Sequence, residues 1–367
     1  MSPPFTPGLV LSRRFYEEAV RPILNEHVPD LAYAAALIGP GSEVLGFDTP
    51  ISTDHHWGPR VMLFLSERDA PLAASIDDAL SRQLPPSFLG YSTNFGPPDE
   101  VGVRLLQVTE SGPIAHRVEI RTVAGWFTDY LGWDTAARPS IVQWLTFPQH
   151  RLCAATAGEV FRDDTGELTS AREALVWYPH DLWLYLLAAQ WNRIAEEEAF
   201  MARTGDVGDE LGSKLVAARI VKDIMRLCFL MERRYPPYAK WFGRAFRLLK
   251  FGTELEPFLL ATIDGATWRE RERALSIVLE RLAAAHNELG ITNALDHRVQ
   301  QYYGRPYRVI GADRFASAIE AHIVDDAVRS LPARFGSLNQ LIDSTDTIES
   351  ATTRVRLASI YHEPAGR

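Results

Sequence analysis

A chain of 367 residues exceeds what one ordinary hydrophobic core organises, so two domains are expected. Its residues are 46% hydrophobic but fall in short runs, none near the ~20 apolar residues of a membrane span, and nothing reads as an inserted segment. A net charge of −9 argues against extensive binding to nucleic acid or anionic membrane, so any anionic ligand must be met by a local cluster of arginine and lysine.

The opening stretch MSPPFTPGLVLSRR lacks a charged segment followed by an apolar one, and a cytoplasmic location is expected. Cys153 and Cys228 lie far apart without a CxxC partner, which implies neither a disulfide framework nor a structural zinc site. Residues 12–28 bring Phe15, Val20, Ile23 and Leu24 back near helical spacing. LAYAAALIG (31–39) and VMLFL (61–65) read as strands, APLAASIDDALSRQL (70–84) as a helix, and VGVRLLQV (101–108) and RVEIRTV (117–123) as further strands between Pro and Gly clusters. Residues 1–150 therefore read as an α/β domain with a mixed sheet and flanking helices. Beyond about residue 165, the segments beginning ELTSAREAL, PHDLWLYLL, DELGSKLVAA, TWRERERAL and ADRFASAIE carry apolar residues at spacings of three and four. An all-α helical bundle over 151–367, packed against the first domain, is the expectation.

The chemistry concentrates in residues 38–65, IGPGSEVLGFDTPISTDHHWGPRVMLFL. A strand ends, a turn opens with Gly39, Gly41 and Ser42, and polar residues lead into the next strand. Glycines at such a turn let backbone N–H groups approach phosphate oxygens, and the Ser42 hydroxyl adds a donor. Ser52 and Asp54 follow; an acid at the mouth of the second strand faces the cradled phosphates and can hold Mg²⁺ between them. Arg60 is placed either to reach phosphate or to salt-bridge a nearby acid.

Gly41-Ser42, Gly46, Ser52 and Asp54 resemble the signature of the nucleotidyltransferase superfamily, in which a Gly-Ser turn precedes two acids one residue apart. Strings over most of the chain, among them GSEVLGFD, STDHHWGPR, TAGEVFRDDTGELT, YPHDLWLYLLAAQWNRIAEEEAF and YPPYAKWFGRAF, are similar to the two-domain proteins of domain of unknown function 4037. The superfamily resemblance implies a nucleotidyltransferase-type sheet and transfer of an NMP group from a metal-bound NTP to a hydroxyl of a small molecule. Mg²⁺, or Mn²⁺, is the implied ion. Asp54 is then a metal ligand, Gly41, Ser42 and Ser52 contact the nucleotide, and Glu119, on a later strand, is metal ligand or general base.

This chain departs from the signature at His56, which stands where the second acid belongs. Mg²⁺ prefers oxygen ligands, so the alternatives are a single ion held by Asp54 and the nucleotide, a softer metal ligated through His56, or a fold turned to nucleotide binding or metal-independent acid/base chemistry. His55 and His56 can equally pack against Trp57. Glu119 alternates with Val118 and Ile120, so it either points into a cleft or pairs with Arg121 at the surface. In the helical part, Arg219, Lys222 and Arg226 form a stripe that either neutralises phosphate or pairs with acids such as Asp223. Glu197 is spaced to pair with Arg193, and the aromatics of YPPYAKWFGRAF either stack a base or pack internally.

Overall fold

The computed structural model describes residues 4–53, 56–100 and 102–362. The chain divides into two compact units, Met1–Pro139 with Arg151–Val176 and Ser140–His150 with Trp177–Arg367.

In the first unit, helix α1 (Gly8–Phe15) runs through a π turn, Tyr16–Val20, into α2 (Arg21–His27). Pro22 lacks the N–H that would bond the Glu18 carbonyl, and its ring crowds that carbonyl; the wider turn relieves both. Strands β1 (Tyr33–Leu37) and β2 (Arg60–Leu65) follow, then α3 (Ala73–Gln83), a two-residue hairpin of β3 (Ser87–Phe88) and β4 (Tyr91–Ser92), β5 (Arg117–Thr122), α4 (Val123–Leu131), and later β6 (Glu159–Asp163) and α7 (Glu167–Ala174). The main sheet has the order β5-β2-β1-β6, with β1 antiparallel to β2 and β6, and β2 parallel to β5.

Period-two alternation sorts the sheet's faces. Tyr33, Ala35, Val61, Leu63, Leu65 and Val118 join the core made by Phe15, Tyr16, Val20, Ile23 and Leu24 of the first helical segment and Ile76, Ala79 and Leu80 of α3. Each buried Leu or Ile side chain there contributes roughly 1.5–3 kcal/mol. Arg60, Met62 and Phe64 take the opposite face, where Phe64 meets the Trp126 ring of α4 edge-on, the centroids being 6.3 Å apart. Gly158 is needed where β6 begins, since a Cβ on it would strike the Leu37 carbonyl oxygen and its φ is +69°.

Two expectations change. Residues 102–108 form no strand: Phe95 and Leu106 make an isolated bridge, and Leu105 and Val108 are exposed. The segment instead follows residues 94–99 through irregular bonds such as Gly96 N–H to the Leu105 carbonyl, with no neighbouring strand to bury its apolar side chains. Conversely, β6 lies within a stretch expected to be helical. It is short and half-buried, and pairing with β1 alone defines it.

The second unit is built of α5 (Ile141–Thr146), the start of α6 (Gln149–Thr156), α8 (His180–Glu197), α9 (Phe200–Asp206), α10 (Glu210–Met231), α11 (Ala239–Phe246), α12 (Gly252–Asp264), α13 (Trp268–Glu288), α14 (Ala312–Glu320), α15 (Asp326–Arg329), α16 (Leu338–Leu341), α17 (Thr345–Glu349) and α18 (Ala351–Leu357). A small hairpin of β7 (Gln300–Gln301) and β8 (Arg308–Val309) interrupts the helices. Helix α8 is buried without interruption from Leu182 to Trp191, as an apolar helix surrounded by others must be, and packs on α10 and α14. Trp191 stacks on Phe315 of α14 at 4.5 Å. Asp209 caps α10 by accepting the Gly212 N–H at 2.7 Å, and Thr267 caps α13 through the Glu270 N–H. Among the described residues, no helix is long and apolar enough to cross a membrane.

Candidate functional site

Antiparallel pairing of β1 with β2 brings the C-terminal end of β1 beside the first residue of β2, and parallel pairing of β2 with β5 adds the first residue of β5. The turn after β1, Arg60 and Arg117 thus share one end of the sheet. Arg60 and Arg117 are register partners. Like charges placed side by side on neighbouring strands repel unless acids or a ligand compensate.

Two acids do so in part. Glu43, directly after the Gly-Ser turn and only 4% exposed, accepts from Arg60 Nε at 2.9 Å and its Nη2 at 2.7 Å. Arg60 also donates to the Pro40 carbonyl at 2.7 Å. Gly41, at φ +142°, has no side chain because a Cβ there would meet the Arg60 guanidinium and the Glu43 carboxylate. Glu119 is half-exposed and accepts from Arg117 Nη2 at 3.1 Å; Arg121, the partner the strand alternation offered, pairs with Asp129 instead. Burial foremost, with Arg60 and Arg104 nearby, lowers the affinity of the Arg117 guanidinium for its proton, and Glu119 opposes this. Arg117 Nε is buried with no hydrogen-bond partner among the described residues. Among the described residues, three arginines, Arg60, Arg104 and Arg117, meet two glutamates, Glu43 and Glu119, at this end of the sheet.

The remaining sequence candidates are distributed as follows. Ser42 and Gly46 lie in the turn, where the Ser42 carbonyl accepts from Phe47 N–H at 2.8 Å. The Ser52 hydroxyl is engaged with Thr49 across the one-turn helix Pro50–Ser52, accepting the Thr49 N–H at 2.9 Å. Asp54 and His55 lie outside the described residues. His56 has left-handed backbone, φ +56°, and its N–H donates to the Arg104 carbonyl at 3.1 Å. Trp57 is buried, donates to Asp48 at 3.0 Å and stacks on Phe5.

Magnesium demands open carboxylate oxygens. Glu43 is held by Arg60, Asp48 accepts from both Trp57 and the Gly8 N–H, and Glu119 is held by Arg117. Among the described residues, no three His, Cys, Asp or Glu side chains gather as a metal site. Each of these carboxylates is engaged through one oxygen, and Asp54, the ligand that the signature assigns, lies outside the described residues.

In the second unit the basic stripe divides. Arg219 pairs with Glu197 at 3.2 Å, while Lys222 and Arg226 line a cavity of about 280 Å³ together with Gln149, His150, Tyr238, Phe242 and Asp343. Lys222 donates to Asp343 at 2.5 Å. Asp223, which the stripe's spacing offered as partner, is instead buried and bound by Arg193 and Gln190, each at 3.0 Å. Arg193 is thereby taken from Glu197, the acid four residues on. Of the aromatic segment, Tyr235 packs on Trp177 and Tyr178, and Phe242 stacks on Phe229 while lining the cavity. Sequence reasoning missed Glu43, Arg104, Arg117, His150 and Asp343. A lone acid after a turn, or an arginine opening a strand, carries no spacing signal; pairing alone identifies them.

The two units thus define a mixed α/β protein with an arginine-lined sheet end and, separately, a helical unit with an amphipathic cavity. Residues 144–242 match the family described as Domain of unknown function (DUF4037), as the sequence strings indicated. No curated protein matches the chain. The crystal structure of a nucleotidyltransferase-like protein from Exiguobacterium sibiricum is similar at 10% identity and a TM-score of 0.31, over 85% of this chain and 91% of that one. A score that low carries neither fold nor activity across.

Proposed function

We propose that this chain is a nucleotidyltransferase-like enzyme that moves a nucleotidyl group from a nucleoside triphosphate to a hydroxyl of a small molecule. The observation supporting this reading is the cluster of three arginines at the end of the sheet reached by the Gly-Ser turn, where Arg117 Nε is buried with no hydrogen-bond partner among the described residues. In this reading Arg117 and Arg104 receive phosphate oxygens, and Arg60 braces the turn through Glu43. Phosphate bound by Arg117 frees Glu119 to accept the proton of the attacking hydroxyl. The new bond forms between that oxygen and the α-phosphorus, the bond to the β-phosphate oxygen breaks, and pyrophosphate leaves with the electron pair. No step is routed through a metal; Asp54, the ligand that the signature assigns, lies outside the described residues.

The test is a thermal-shift titration with each of the four common NTPs, alone and with Mg²⁺ or Mn²⁺, paired with an assay for pyrophosphate. Saturating nucleotide is expected to stabilise the protein by about 2–4 kcal/mol. Arg117→Met should weaken nucleotide binding about tenfold or more, the effect of losing a charge-assisted contact. Asp54→Asn, at the acid the signature assigns, should abolish pyrophosphate release with Tm within a few degrees of the parent. If no NTP changes Tm and no pyrophosphate appears, the reading fails. The engaged state of Glu43, Asp48 and Glu119 favours a second reading, a nucleotide-binding protein without transfer. That reading expects a Tm shift indifferent to metal and no pyrophosphate.

A further inference from the structure

The cavity of the second unit has an apolar body and a charged mouth. Val221, Met225, Pro236, Phe242, Ile342 and Ile348 supply the body. Lys222 and Arg226, one turn apart on α10, supply two positive charges on one side. The compensation is incomplete. Arg226 is only 18% exposed, yet its hydrogen bond goes to the Asn339 carbonyl at 2.6 Å, and the carboxylate of Asp343 lies 3.9 Å from it. Asp223, the other acid near Arg226, is committed to Arg193 and Gln190. Asp343 must therefore serve Lys222 and Arg226 together, and it does so from an exposed position between α16 and α17. His150, which also lines the cavity, is hydrogen-bonded to Glu349 at 2.7 Å.

A largely desolvated guanidinium whose ion-pair partner stands 3.9 Å away has room for a closer anion, and an ion pair with one partner 76% exposed is weakly held and replaceable. We propose that this cavity binds a small organic monocarboxylate with an apolar or aromatic body, and that the Asp343 carboxylate occupies the ligand carboxylate's place until the ligand arrives. Lys222 and Arg226 share the one carboxylate of Asp343, so a single ligand carboxylate in its place suits them, which favours a monoanion over a phosphate dianion or a triphosphate. The volume suits a body of about ten heavy atoms. This inference uses no part of the nucleotidyl-transfer reading and stands if that reading fails.

Calorimetric titration of the full chain with 3-phenylpropionate, its neutral amide and phenyl phosphate tests it. The carboxylate should bind with a Kd of about 1 mM or tighter, and the amide and the phosphate each about tenfold more weakly. Lys222→Met, at a partly exposed side chain, should weaken carboxylate binding about tenfold. Arg226→Gln should do the same; should that variant fail to fold, Lys222→Met carries the test. Asp343→Asn should tighten carboxylate binding several-fold, because it removes the internal competitor; a merely structural Asp343 would weaken it. The proposal is overturned by absence of carboxylate binding at millimolar concentrations, by amide or phosphate binding as tightly, or by weaker binding to the Asp343→Asn protein.

Discussion

Replacing Arg60 with methionine is expected to lower the unfolding free energy by about 3–5 kcal/mol, among the largest effects of any single substitution in the first unit. The guanidinium is 8% exposed and the Glu43 carboxylate 5%, so removing the cation strands a buried anion with no water to receive it. The lost bond to the Pro40 carbonyl adds to the cost. Methionine retains much of the side-chain volume, which keeps the cavity contribution small. Chemical denaturation measures the loss, and the double variant Glu43→Gln/Arg60→Met should recover much of it, since a neutral amide tolerates burial better than an unpaired carboxylate. A loss below about 1 kcal/mol, with weakened nucleotide binding, would instead assign Arg60 to phosphate and sink its structural role.

The second unit carries two buried titratable groups whose pH effects oppose one another. Glu198, 6% exposed, is raised from its ordinary 4.5 to about 7 by burial, against the pull of the Ile310, Gly311 and Ala312 N–H groups it accepts at the start of α14. A group whose folded pKa is raised contributes stability that is complete below about 4.5 and is lost as pH rises through about 7. His286, fully buried against Trp191 and Phe315, is lowered by burial from 6.5 to about 4. Its contribution is complete above 6.5 and is lost as pH falls through about 4. Each is worth on the order of 3 kcal/mol across its window. Between pH 4.5 and 7 the two slopes largely cancel in the parent protein. Glu198→Gln should expose the histidine's slope, with stability falling steadily on acidification. His286→Phe should expose the other, with stability falling as pH rises from 4.5 to 7.5. Urea unfolding at pH 4.5, 6 and 7.5 decides; parallel pH profiles for both variants and the parent would refute the assignment.

The strands Tyr33–Leu37, Arg60–Leu65 and Arg117–Thr122 and the long helices α8, α10 and α13 were legible because each carries its own period of apolar residues. The turn at Gly41 and Ser42 was legible from its glycines, but the reason for Gly41 was not: its missing side chain leaves room for Arg60 and Glu43, seventeen residues apart in sequence. Residues 102–108 alternate like a strand and form none, and β6 lies in a stretch read as helical and is a strand.

The sequence by itself determined most of the elements, their buried faces and the DUF4037 likeness, since periodicity, capping residues and short motifs are local properties. Tertiary structure alone decided which charges meet. Glu119 took Arg117 rather than Arg121, Asp223 took Arg193 rather than the stripe, and Asp343 came from more than a hundred residues away to Lys222. Ion pairing falls off with distance in space and is indifferent to distance along the chain.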